Sequence, residues 1–182
     1  AAAINEHLST AAYHTASDAE LYYNGENPTI GRYEKVLYDL KGKAHRDMFT
    51  ANHKLASSFF RFAVNQQVAY LLGNGITFGD KKTAGKLCAD FDEDVMTAAK
   101  YAQIGGMAFG FWDLEHLRVF RLTEFVPLYD EETGALRAGI RFWQLAPDKP
   151  KRITLYEEDG FTEFIQPKDG GIKIMQDKRT YK

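Results

Sequence analysis

A single cysteine, Cys88, stands among 182 residues, which excludes an intrachain disulfide framework and any metal site built on thiolates. A lone thiol fits a reducing compartment. No charged-then-apolar segment opens the chain, and no apolar run is long enough to span a membrane. Charge of one sign is also missing. Formal net charge is −2, with ten Lys and Arg against nine Asp and Glu in the first 91 residues and 13 against 16 after them. Neither half is a basic arm or an acidic tail, so bulk charge makes no case for a strong phosphate-binding surface.

The motifs of common chemistries are absent too. Five histidines (His7, His14, His45, His53 and His116) form neither His-x-x-x-His nor His-Glu-x-x-His, and they read as surface or capping residues. No Ser or Cys sits in Gly-x-Ser-x-Gly, the strained turn that presents a nucleophile. Gly73-Asn74-Gly75 and Gly105-Gly106 follow helical patterns instead of opening them, so they read as helix ends, not phosphate loops. The acidic runs Asp90 to Asp94 and Asp130 to Glu132 read as a helix N-terminus and a solvated turn. Trp112, Phe120 and Phe142 lack accompanying Lys or Arg and read as core, not as a base-stacking platform. Residue chemistry names no catalytic, cofactor-binding or metal-binding residue, and the expectation is that the chain is not an enzyme.

What is present is ordinary for a globular protein: 45% hydrophobic and 26% charged residues, with ten Tyr and thirteen Phe. The length suits one domain with a sizeable core. The expected class is α+β: N-terminal helices including a long buried helix, then an antiparallel, β-rich region of hairpins. Residues 1–50 form a peripheral helical segment, 51–106 the core helices and 107–182 the antiparallel strands of a single domain. In detail, 1–23 reads as one Ala-rich helix ended by Gly25 and Pro28. Residues 30–49 are compatible with a short helix or an irregular connector.

The best-punctuated stretch is Asn52 to Leu72, with Asn52 as cap and Gly73 and Gly75 as left-handed terminators. Leu55, Phe59, Phe62, Phe60, Val64, Val68, Tyr70 and Leu71 cover so much of its circumference that a buried core helix is expected. Arg61 and Asn65-Gln66-Gln67 argue against a membrane span. Residues 76–78 are a candidate short strand, and 91–104 a second helix capped by Asp90 or Asp92. From Met107 the period changes to two. Strands are expected over 107–112 and 117–122 as a hairpin, over 125–129 with Pro127 marking an edge or bulge, and over 136–145. A second hairpin, 152–156 with 161–165, and a last strand, 172–175, complete the set.

Asn52, Lys54 and Leu55, followed by Val64, Asn65, Gln67, Val68, Tyr70, Leu71, Leu72 and Gly73, resemble the buried helix of the bacteriophage portal proteins of tailed phages. Leu21-Tyr22-Tyr23-Asn24-Gly25 is similar to that family's turn after its first helix. Ala98 to Phe109 resembles its helix leading into the first wing strand. Phe125-Val126-Pro127-Leu128-Tyr129-Asp130 and Ala138 to Trp143 resemble later wing strands. The likeness runs in order over residues 20–145 and thins beyond Pro150. Gly75 stands where the family often has Pro, and Phe59 where it often has a polar residue.

The resemblance implies the N-terminal and wing portion of a structural subunit, read as a fragment of a longer chain that opens without Met. The family's homo-oligomeric ring, typically a dodecamer, sits at one capsid vertex, and double-stranded DNA is packaged and ejected through its channel. Terminase, capsid or scaffolding proteins and a head-tail connector are the implied partners. The implied location is the virion, and the bacterial cytoplasm during assembly. This portion would brace neighbouring subunits and be monomeric or weakly associated by itself. Two competing readings stay open: a small α+β enzyme or ligand-binding domain whose site is scattered in sequence, and single-strand nucleic-acid binding through the aromatic strands.

Overall fold

Thr10 breaks the first expected helix in two. In the computed structural model, which describes residues 1–182 apart from Lys81, Thr83, Ala84, Leu114, Asp169 and Lys182, α1 is Ala2–Leu8 and α2 is Ala11–Tyr23. The Thr10 hydroxyl donates to the His7 carbonyl (2.7 Å) and accepts from the Tyr13 N–H (3.2 Å). One side chain thus closes α1 and caps α2. Asn27 caps α3 (Pro28–Arg32) by accepting from the Ile30 N–H, with Pro28 in the first turn where its missing N–H costs nothing.

Residues 30–49 turn out to be neither a simple helix nor an irregular connector. Strands β1 (Val36–Tyr38) and β2 (Ala44–Arg46) pair as an antiparallel hairpin. Its turn is closed by Asp39, which accepts from the Lys41 and Lys43 N–H groups, and by Gly42 at φ 76°.

The expected long helix is shorter and less covered than its apolar content suggests. Helix α4 is Phe59–Leu72. Asn52 does not cap it; its amide donates to the Tyr33 carbonyl at 3.1 Å, and Lys54 donates to the Gly31 carbonyl. Residues 52–58 are therefore strapped as coil onto α3. Val64 and Val68 are the buried residues of α4, at 2% and 5% exposure. Phe59, Phe62 and Tyr70 lie open on its other side, and Leu71 is exposed at the end of the helix. Burial all round the helix is thus corrected to burial along one stripe. Gly75 adopts the expected left-handed conformation (φ 74°), whereas Gly73 stays right-handed at φ −63°. No strand forms at 76–78; Phe78 packs its ring against Phe91 instead, 6.0 Å between centroids.

Helix α5 (Phe91–Gly105) follows with Asp90 at its N-cap position, three acidic residues in its first turn, and left-handed Gly106 (φ 84°) at its end. It packs against α2, α4 and the hairpin β3 (Ala108–Trp112) and β4 (Leu117–Arg121). A 3-10 turn, Leu122–Glu124, leads into β5 (Phe125–Tyr129), β6 (Leu136–Gln144), β7 (Lys151–Glu157), β8 (Gly160–Gln166) and β9 (Lys173–Thr180). These five form one antiparallel meander in sequence order. The α+β class is as expected, and the strands match the period-two segments closely, β9 being longer than anticipated. Pro127 lies on edge strand β5, where a missing N–H breaks no ladder, and a bulge follows at Leu128/Tyr129.

The sheet's two faces carry different loads. Ile140 pairs with Leu155, Phe142 with Ile153, and Ile153 with Phe164, so these share one face. α1 approaches it, with the His7 ring edge-on to Phe142 at 6.4 Å. The opposite face carries Phe125, Arg141, Thr154 and Tyr156. On it lies the β3–β4 hairpin: Phe109 stacks on Phe125 at 4.5 Å, Phe120 on Phe125 at 5.5 Å, and Phe111 meets Tyr156 at 4.7 Å. Phe120, at 2% exposure, is the centre of this core.

Candidate interaction surface

Three polar linkages fix how the helices sit on the strands. His7 is buried, and its Nε2 lies 2.8 Å from the Leu122 carbonyl, joining α1 to the 3-10 turn. This corrects its expected place among surface or capping residues: a buried imbalance of one carbonyl is met by one imidazole N–H. Glu20 of α2 accepts from the Thr123 hydroxyl at 2.6 Å and pairs with Arg121 at 3.5 Å, and Arg121 also pairs with Glu124. Burial disfavours the charge on Arg121, but Glu124 and Glu20 more than offset it, and its guanidinium titrates above the usual arginine range. The same guanidinium lies 5.6 Å from the centre of the Tyr101 ring.

The third linkage ties α4 to the end of α2. Arg61 donates to the Tyr23 carbonyl at 2.8 Å and stands 5.2 Å over the Tyr23 ring. The Tyr23 hydroxyl donates to Asn65 Oδ1 at 2.9 Å. The partner of Asn65 is thus a side chain of α2, not a strand or loop backbone. Gln67 is exposed.

These linkages hold α4 with one side inward and the rest outward. Phe59 and Tyr70 are 72% and 89% exposed, and Phe62 and Leu71 are exposed with them. Phe59 and Phe62 touch, 6.3 Å between ring centroids. Immediately before α4 in sequence, Leu37, Tyr38, Leu40, Met48, Phe49 and Leu55 are also exposed. Scattered apolar surface residues are normal, but this density on consecutive segments marks an interaction surface. Sequence reasoning took Leu55, Phe59, Phe62, Tyr70 and Leu71 for core, because a helix apolar on most sides gives the same pattern whether a neighbouring segment or another molecule covers it.

The remaining sequence candidates fall into place around this frame. Asp130 closes the β5–β6 turn, accepting from the Thr133 and Glu132 N–H groups and pairing with Arg137 at 3.2 Å. The Thr133 N–H above all holds its carboxyl below the usual carboxylate range. Trp112 packs edge-on to Phe91, and Phe120 and Phe142 are packed as above. His45 lies 3.4 Å from Asp39 on the β1–β2 hairpin, away from the other histidines in any shared site. Among the described residues, no group of three or more His, Cys, Asp or Glu is arranged to hold a metal ion, and no helix is long and apolar enough to cross a membrane. Set against known proteins, the chain matches no family model, and no curated protein sequence matches it.

Proposed function

We propose that this chain is the N-terminal and wing portion of a phage portal subunit, a structural piece that braces its neighbours in a ring. The observation that carries the reading is the outward apolar side of α4, on the helix that also bears the portal-like residue pattern. An apolar helix side left open in one chain is the kind of surface that a heterologous ring contact covers. The order from α4 onward supports it: two helices, a β-hairpin, then an antiparallel meander, as in the helix leading into wing strands that the resemblance implies. On this reading the role is mechanical. The Glu20–Arg121–Glu124 and Tyr23–Asn65 linkages hold α2, α4 and the strands as one body, so that load passes between subunits instead of bending them.

The test uses the polypeptide that contains this chain. Phe62→Asp with Tyr70→Asp should abolish its assembly in sedimentation velocity while leaving the far-UV circular dichroism unchanged. Assembly that survives both charges on α4 would remove this surface from the ring contact.

A further inference from the structure

Downstream of β5 the charge alternates in blocks along the sequence. Asp130, Glu131 and Glu132 are followed by Lys149, Lys151 and Arg152. Glu157, Glu158 and Asp159 come next, and then Lys168 and Lys173. A meander in sequence order sends every second turn to the same end of the sheet. The β5–β6 and β7–β8 turns therefore gather these acids at one end, and the β6–β7 and β8–β9 connections gather the bases at the other.

Each end keeps charge that the chain itself does not neutralise. At the acidic end Arg137 pairs with Asp130, and Lys178 with Glu157 and Asp159. Glu131, Glu132 and Glu158 are exposed and have no ion pair among the described residues. The other cation nearby, Arg179, lies one step along β9, opposite Phe161. At the basic end Lys149 pairs with Asp148. Lys151, Arg152, Lys168 and Lys173 are exposed there without an ion pair among the described residues; in sequence, Asp169 is the other acid of these connections. β7 has seven residues, which sets the two ends about 20 Å apart. That is more than twice the ~8 Å screening length at physiological salt, so the ends of one chain do not compensate each other. Apolar side chains stand beside both charge sets: Tyr129 and Leu136 are exposed at the acidic end, Leu145 and Ile172 at the basic end. Apolar contact area rimmed by charge is the make-up of a protein interface, and the complement of each end is the other end.

We propose that copies of this chain associate head to tail, the basic end of one meander seated on the acidic end of the next. Such a contact is heterologous and repeats from copy to copy. It leaves the open side of α4 free and does not rest on the portal reading. Pairs between exposed charges make it weak by itself.

Sedimentation velocity of the 182-residue chain at high protein concentration tests this. The association constant in about 0.01 M salt should exceed that in about 0.15 M salt by about tenfold or more, because the screening length shrinks from ~30 Å to ~8 Å. Glu131→Lys with Glu132→Lys and Glu158→Lys gives a chain with two basic ends, which should stay monomeric in low salt. Lys151→Glu with Arg152→Glu and Lys168→Glu gives two acidic ends, with the same result. A chain carrying all six reversals has opposite ends again and should recover the association. Asp18→Lys with Glu26→Lys and Glu115→Lys changes net charge as much as the first variant but lies outside the meander, so it should associate as the parent does. Phe62→Ser with Tyr70→Ser should also leave the salt-sensitive association in place, which separates this contact from the side of α4. Equal association at the two salt concentrations, or an end reversal that associates like the parent, would overturn the proposal. So would a loss of association in the Asp18, Glu26 and Glu115 control or in the Phe62 and Tyr70 variant. Should a reversal variant fail to fold by far-UV circular dichroism, the salt series on the unaltered chain still decides.

Discussion

Thr10 and Gly139 show how much single residues determine. Thr10 alone separates two helices that an Ala-rich sequence would otherwise run together, through one hydroxyl that donates backward and accepts forward. Thr10→Ala should destabilise the chain by about 1 kcal/mol, the usual cost of losing a cap, read as a lower urea midpoint at unchanged slope. Gly139 works by lacking a side chain: the Phe125 ring lies over it, where an added Cβ would overlap the ring. Gly139→Ala should therefore displace Phe125 from its stack with Phe109 and Phe120 and cost about 1–3 kcal/mol, the range for overpacking a tight site. A stability within experimental error of the parent chain would mean that the ring moves aside freely. The Thr10 cap was open to a reader of the sequence but was outweighed by the alanines around it. The Gly139 contact was not legible, because its partner lies 14 positions away and is fixed only by the β5–β6 register.

At the scale of elements, the strands were far easier to anticipate than the helices. Alternation with turn residues specifies a hairpin locally, and Asp130, Gly134 and Asp159-Gly160 mark their turns by side-chain chemistry that needs no distant partner. Helix α4 was misjudged in both its start and its burial for the opposite reason. Asn52 looks like a cap by residue type, but its side-chain NH2 is tied to the Tyr33 carbonyl, well ahead of the helix start at Phe59, and that tie exists only in three dimensions. The β1–β2 hairpin went unread because its strands are three residues long and exposed at every position, without a buried face to create a pattern.

The turn aspartates also give the elements a pH response. Asp113 is held below the usual carboxylate range chiefly by the His116 N–H, with Arg118 assisting, and Asp47 chiefly by the Thr50 hydroxyl. Their folded values lie below their unfolded ones, so their stabilisation is present above the unfolded carboxylate range, near pH ~4, and is lost as pH falls through the folded values. Hydrogen exchange of the Glu115, His116, Phe49 and Thr50 amides should accelerate beyond the intrinsic trend as pH falls below ~4. Protection that holds constant there would show that the loops are kept closed by something other than these carboxylates.

At the scale of the whole molecule, the division of labour is between a packed interior and an outward side of α4. The β3–β4 hairpin and the meander share one aromatic core centred on Phe120, α5 packs on the hairpin, and α4 joins α5 and α2 with a stripe of two buried valines. A helix so held is firmly placed yet mostly uncovered, which suits a piece completed by its neighbours. Imaging by electron microscopy of particles formed by the polypeptide that carries this chain tests that account most directly. The account predicts closed rings around a central channel, with Phe59, Phe62 and Tyr70 of one subunit buried against the next. Monodisperse single subunits at every concentration, or rings in which those three side chains still face solvent, would contradict it.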